Sequence, residues 1–178
     1  MRAFIGFLVP EHVKDAVLKA GKELEGIGVV GKYVERENLH VNLSFLDEIT
    51  DEESQGFAAK LDMMARGYER FQATLGPLKA IPNEKFTRII AFEVEQENDR
   101  LNTIIKEIKK SIGGDAKPPH LTICRVKGVK DRTKFLEALE KYRTMKLASF
   151  DVGSVQLIKS ELSSEGPIYS VVHESKFK

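Results

Sequence analysis

Two histidines stand at the head of short alternating runs, His40 in "NLHVNLSFL" (38–46) and His120 in "PHLTICRV" (119–126). The chain has four histidines in all, and these two occupy matching places eighty positions apart. In a strand, successive side chains alternate faces, so Val41, Leu43 and Phe45 are expected in a core while His40, Asn42 and Ser44 share the opposite face. By the same rule Leu121 and Ile123 oppose His120, Thr122 and Cys124. If the two polar faces meet across one groove, two imidazoles converge on one ligand. That pairing suits phosphodiester cleavage. A neutral imidazole takes a proton from the attacking oxygen while a protonated one gives a proton to the leaving oxygen, and an ordinary imidazole pKa of ~6.5 serves both duties near neutrality. The amide of Asn42 and the hydroxyl of Thr122 supply hydrogen-bond donors for the nonbridging oxygens. The chemistry needs no metal.

The elements around these runs repeat. "AFIGFLV" (3–9) reads as a buried strand, and Pro10 opens a helix with Val13, Ala16, Val17, Ala20 and Leu24 on one face. "RIIAFEV" (88–94) is likewise a strand, followed by a helix with Leu101, Ile104, Ile105, Ile108 and Ile112 at the same intervals. Both helices stop at glycines, Gly26 and Gly28 in one and Gly113 and Gly114 in the other. After the first histidine strand, Thr50 and Glu53 spell a capping box for a helix with Phe57, Leu61 and Met64 on its apolar face. After the second, Asp131 caps a helix carrying Phe135, Leu136, Leu139 and Tyr142. "FDVGSVQLI" (150–158) then echoes "FQATLGPLKAI" (71–81). An approximate β-α-β-α-β unit thus occurs twice, roughly in 1–80 and 81–178. No Gly-, Ser- or Pro-rich linker separates the halves, so the expectation is one domain of two lobes spanning 1–178.

Composition narrows the class. The 178 residues are 42% hydrophobic and 31% charged, with 28 basic against 27 acidic side chains, as in a globular protein with a sizeable core. A net charge of +1 excludes a strongly basic nucleic-acid coat but leaves room for a local basic cleft. Cys124 is the only cysteine, and the N-terminal run meets charge without a long apolar segment. A cytoplasmic protein is expected. No apolar stretch approaches the ~20 residues that span a bilayer, and the many Lys and Glu with one Cys fit a thermophilic source.

Other chemistries fit less well. Cys124 shares the face of His120 by strand parity, but a lone strand cysteine usually serves as a small apolar residue. His12 and His173 stand apart without a zinc-type spacing, and no Gly-x-x-x-x-Gly-Lys loop offers an ATP site. "Asn42-Leu-Ser44" spells a glycosylation sequon, yet nothing in the sequence indicates secretion. Lys117, Lys127 and Lys130 flank the second run and could attract RNA, although solvated charge is their default role.

At these residues the sequence resembles the RNA 2′,3′-cyclic phosphodiesterases, also called 2′-5′ RNA ligases, of the two-histidine phosphoesterase superfamily. Their hallmark is a duplicated His-x-Thr/Ser-x motif, met by "HLTI" (120–123) and less faithfully by "HVNL" (40–43). "ENLHVNLSFLDEI" resembles the first motif with its trailing Phe-Leu, "KPPHLTICRVK" the second with its trailing Arg, and "LIKSELSSEGPIY" the C-terminal strand pair. The opening "MRAFIGFLVPEHVKDAV" is also similar, so the resemblance covers essentially the whole chain. It implies an α/β (α+β) fold that is bilobal, with two pseudo-symmetric antiparallel-sheet lobes, outer helices and a central cleft. It implies metal-independent opening of a terminal RNA 2′,3′-cyclic phosphate to a 2′-phosphate, with ATP-independent 2′-5′ ligation as a related activity and no cofactor. The implied partner is RNA with a cyclic-phosphate end, tRNA fragments among the candidates, acted on by a monomer.

Carried onto this chain, the pattern makes His40 the proton donor and His120 the proton acceptor, with Asn42 and Thr122 holding phosphoryl oxygens. Arg125 would clamp the phosphate through its planar guanidinium. Strict alternation from His120 aims Arg125 away from the cleft, so a bulge, strand end or twist is required. Phe45 occupies the matching place in the first motif, where it could stack on a base, though a core role is the default. Asn42 departs from the usual Thr or Ser: an amide still donates, but it is larger and lacks the hydroxyl's dual character. The departure keeps a second reading open, a module that binds RNA ends and turns over poorly.

Overall fold

The computed structural model describes residues 1–178, the side chain of Glu97 excepted. The chain begins with β1 (Arg2–Leu8), α1 (Glu11–Gly26), β2 (Val29–Tyr33), β3 (His40–Glu48), α2 (Asp51–Ala65) and β4 (Phe71–Pro82). It continues with β5 (Thr87–Gln96), α3 (Arg100–Ser111), β6 (His120–Val129), α4 (Arg132–Arg143), β7 (Ala148–Val152), β8 (Ser154–Ser163) and β9 (Gly166–Lys176). Among these residues no helix is long and apolar enough to cross a membrane.

The helices form where the sequence signals place them. Glu53 N donates to the Thr50 hydroxyl at 3.1 Å and Thr50 N donates to the Glu53 carboxylate at 2.7 Å, closing the capping box of α2. Asp131 accepts from Lys134 N at 3.1 Å and starts α4. Val13, Val17, Ala20 and Leu24 of α1 and Leu101, Ile104, Ile105 and Ile108 of α3 are buried, as their spacing predicts. Each fully buried Val, Leu or Ile among them contributes roughly 1.5–3 kcal/mol.

All nine strands join one antiparallel sheet in the order β7-β4-β5-β6-β3-β1-β8-β9, with β2 paired to β6 beyond the end of β3. The sheet curls into a half-barrel whose midline is the β3/β6 seam, and each half of the order forms one lobe. Sequence repeat and spatial lobe do not coincide. β4, which closes the first repeat, pairs with β5 and β7 of the second, while β8 of the second pairs with β1 of the first. The expected single strand over 150–158 is consequently two. β7 pairs with β4, the chain crosses at Gly153, and β8 pairs with β1 on the other side of the seam. β2 and β9, the latter an edge strand along β8, complete the sheet and had no counterpart in the repeat pattern.

Candidate active site

The seam brings the two histidine motifs together. Asn42 of β3 lies directly opposite His120 of β6. In an antiparallel ladder a step from Asn42 back to His40 is matched by a step from His120 on to Thr122, so the four residues form a square on one face. Cross-strand pairing extends that face as a row: Glu93, His120, Asn42, Gly6, Gln156 and Glu174. Gly6 sits beside Asn42 and must remain bare, because a Cβ there would fall 2.3 Å from the Val41 carbonyl oxygen.

Each histidine strand carries one extra residue just past its motif. Against β5, Ala91 faces Thr122 but Ile90 faces Cys124, so β6 bulges at Ile123. Alternation resets there, and Arg125, paired with Ile89 and Lys32, returns to the face of His120 and Thr122. Against β1, Gly6 faces Asn42 but Ile5 faces Ser44, so β3 bulges at Leu43 in the same way. Phe45 thereby takes the place in the first motif that Arg125 holds in the second. Two expectations from simple alternation are corrected here. Ser44 is 0% exposed and turns away from His40, donating to the Gly113 carbonyl at 3.0 Å. Cys124 lies in the core on the side opposite His120, and burial pushes its thiol up to about 11 despite a bond from Tyr33 that lowers it. The core role of Phe45 is corrected too, since its ring is 43% exposed beside the motif.

The imidazoles are held alike. His40 Nδ1 lies 2.7 Å from the Asn38 carbonyl oxygen and His120 Nδ1 lies 2.8 Å from that of Pro118, two residues upstream in both cases. A carbonyl only accepts, so each neutral ring carries its hydrogen on Nδ1 and its lone pair on Nε2. Asn38 is itself fixed, its side-chain amide donating to the Pro167 carbonyl at 2.8 Å. Around His40 the Phe4 ring centroid stands at 4.6 Å and Tyr169 meets it edge-on at 5.1 Å and 89°. Burial among these rings holds the His40 pKa down to about 4; the Asn38 carbonyl opposes the shift and positive charge on His120 adds to it.

Asn42 is 5% exposed, and its Nδ2 has no hydrogen-bond partner among the described residues. A buried donor left unmet costs about 1–3 kcal/mol, a penalty that an anionic oxygen between the imidazoles removes. Burial raises the Tyr169 phenol, and the Arg125 charge draws it partly back.

The remaining candidates serve elsewhere. His12 Nε2 reaches the Ser149 carbonyl, and His173 Nε2 lies 2.8 Å from Asp62 where β9 packs on α2. Lys117 pairs with Asp115 at 3.4 Å, whereas Lys127 and Lys130 are exposed at the far end of β6. Sequence reasoning missed Phe4, Tyr169, Gly6 and Lys32, because each reaches the site from another strand.

The curled sheet with its central groove is a fold seen in solved structures. The chain superposes on a protein of Thermus thermophilus with a TM-score of 0.83 at 24% identity, covering 99% of this chain and 98% of that one. It superposes on E. coli LigT complexed with 3′-AMP with a TM-score of 0.77 at 16% identity, covering 99% and 97%. In sequence, the family model of the 2′-5′ RNA ligase superfamily matches residues 21–163, and the chain belongs to that family. It is 33% identical to an RNA 2′,3′-cyclic phosphodiesterase of Methanocaldococcus jannaschii, over 98% of this chain and 99% of the relative. The same name is carried by a relative in Aquifex aeolicus that is 32% identical, over 98% of this chain and 96% of its own length.

Proposed function

We propose that the protein hydrolyses the terminal 2′,3′-cyclic phosphate of RNA to a 2′-phosphate without a metal. The observation that carries this reading is the pair of imidazoles, each with Nδ1 tied to a carbonyl and Nε2 left to exchange a proton, flanking the unmet amide of Asn42. Water attacks phosphorus as His120 accepts its proton, the bond from phosphorus to the 3′ oxygen breaks, and His40 protonates that oxygen. Asn42 Nδ2, the Thr122 hydroxyl and the Arg125 guanidinium take the charge on the nonbridging oxygens. A ring held near pKa 4 by burial is a strong acid once charged, and the phosphate anion beside it favours the charged form. Solvent exchange then restores both protonation states.

A 5′-hydroxyl RNA end in place of water gives a 2′-5′ linkage by the same bond changes, and the strained cyclic ester supplies the driving force without ATP. We place this activity in a cytoplasmic monomer acting on RNA ends such as those of tRNA fragments. The test is incubation with a cyclic-phosphate-ended oligonucleotide in EDTA, followed by identification of the product isomer. A 2′-phosphate is expected; metal-dependent turnover or a purely 3′-phosphate product overturns the reading. Asn42 in place of a hydroxyl supports a second reading, an RNA-end binding module, which retained binding without turnover would favour.

A further inference from the structure

Past the catalytic square the groove floor changes character. The next row of directly paired residues runs Ile81, Ile89, Arg125 and Lys32 across β4, β5, β6 and β2. Ile81 is 38% exposed and pairs with Ile89, which pairs with Arg125, so the two isoleucines form an apolar strip beside the two cations. Beyond the strip the β4–β5 hairpin ends in Phe86, 58% exposed, with the Arg88 guanidinium 4.9 Å over its ring. This tip is fixed. Phe86 N donates to the Asn83 side chain at 2.8 Å, Thr87 donates to the Asn83 carbonyl at 2.9 Å, and Arg132 of α4 donates to the Glu84 carbonyl.

Cations without an ion-pair partner collect at this end. Among the described residues none of Lys32, Lys85, Arg88, Arg125, Lys127 or Lys130 has a carboxylate within ion-pair distance, although acids and bases nearly balance over the whole chain. Of the nearby acids, Asp131 caps α4, Glu93 pairs with Lys79, and Glu84 stands exposed in the hairpin itself beside Lys85. An exposed aromatic ring backed by arginine, at the end of an apolar strip and among unpaired cations, matches single-stranded nucleic acid: the ring stacks a base and the cations meet phosphates.

Resting on the function proposed above, we infer that the β4–β5 hairpin binds the RNA on the 5′ side of the cyclic phosphate, with Phe86 stacking a base and Arg88 and Lys85 meeting its phosphates. Phe86 lies three residue steps from Ile89, roughly 10 Å at ~3.3 Å a step, which is one to two nucleotides of extended strand. A terminal nucleotide alone therefore ends short of the tip, and a short oligonucleotide reaches it.

The experiment compares a nucleoside 2′,3′-cyclic phosphate with a tetranucleotide ending in one, in the whole protein and in Phe86→Ala and Arg88→Ala. Stacking of one base by alanine substitution measures about 5- to 150-fold, so Phe86→Ala should raise KM for the tetranucleotide on the order of tenfold and leave the mononucleotide unchanged. Arg88→Ala should in addition flatten the salt dependence of tetranucleotide binding by about 0.7 in log–log slope. Anisotropy of a 2′-phosphate-ended tetranucleotide reads the same contact without turnover. Equal losses on both substrates, or unchanged tetranucleotide binding in both variants, overturn the inference. Failure of the unsubstituted protein to open either substrate would overturn the catalytic reading instead, and the anisotropy would still decide the hairpin.

Discussion

The unusual residue at the centre of the groove is His40, an imidazole packed against Phe4 and Tyr169 and held at a pKa of about 4. In the unfolded chain the same ring takes up its proton near pH 6.5, so the folded state carries no penalty above that pH and loses stability as pH falls from about 6.5 to about 4. The full loss is on the order of 3 kcal/mol. Urea unfolding at pH 7.5 and pH 4.5 should show this loss shrinking in His40→Gln, and an equal loss in both proteins would mean that other groups cause it. At Asn42 the orphaned amide predicts that Asn42→Leu lowers turnover of a cyclic-phosphate end by about 100-fold or more, in line with removal of a single oxyanion donor. Asn42→Thr restores a hydroxyl donor and should retain most activity. Kinetics on one oligonucleotide decides both, and an active Asn42→Leu would remove the amide from the site. The two histidines and Thr122 were legible in sequence because a strand-head histidine followed two residues on by a donor is a pattern along one chain. Phe4 and Tyr169, which set the His40 environment, were not, since they come from strands far apart in the sequence and meet His40 only in the folded sheet.

Among elements, the two bulges decide which side chains face the groove. One extra residue at Leu43 and one at Ile123 turn Phe45 and Arg125 inward and send Ser44 and Cys124 into the core. Each is clamped from outside its strand. Phe45 exchanges backbone bonds of 3.0 and 2.8 Å with Asp115, and Val34 N donates to the Ile123 carbonyl at 2.9 Å. The first clamp depends on Gly114, whose φ of +92° is unfavourable for other residues and whose added Cβ would fall 2.4 Å from Ser44 Oγ and 2.5 Å from the Phe45 carbonyl. Gly114→Ala should therefore destabilise the protein by about 2 kcal/mol or more, combining a left-handed backbone penalty with overpacking. Thermal unfolding checks it, and a change under about 0.5 kcal/mol, the range of neutral surface substitutions, would show that the loop yields freely. Caps and helix faces were readable because they are local. The bulges were not, because a bulge is a relation between two strands, and nothing in "HLTICR" marks Ile123 as the residue that drops out of register.

In the whole molecule, the repeated halves exchange their third strands: β4 completes the sheet of the second lobe and β8 that of the first. We propose that residues 1–178 consequently behave as one domain, although the sequence repeats near residue 80. Unfolding should be a single transition with matching calorimetric and van 't Hoff enthalpies, and two separable transitions would mean that the lobes are independent. The same exchange sets the groove of the two histidines on the seam, where neither repeat alone can build it. We propose that His40 and His120 act as one acid–base unit, and a pair of substrates separates their roles. On a cyclic-phosphate RNA end, His40→Ala and His120→Ala should each lose about 10²- to 10⁴-fold. On a phosphodiester with a nitrophenyl leaving group, which needs little protonation, His40→Ala should recover far more activity than His120→Ala. Preferential recovery of His120→Ala would reverse the two roles, and full activity of either variant on the cyclic RNA end would contradict acid–base catalysis by this pair.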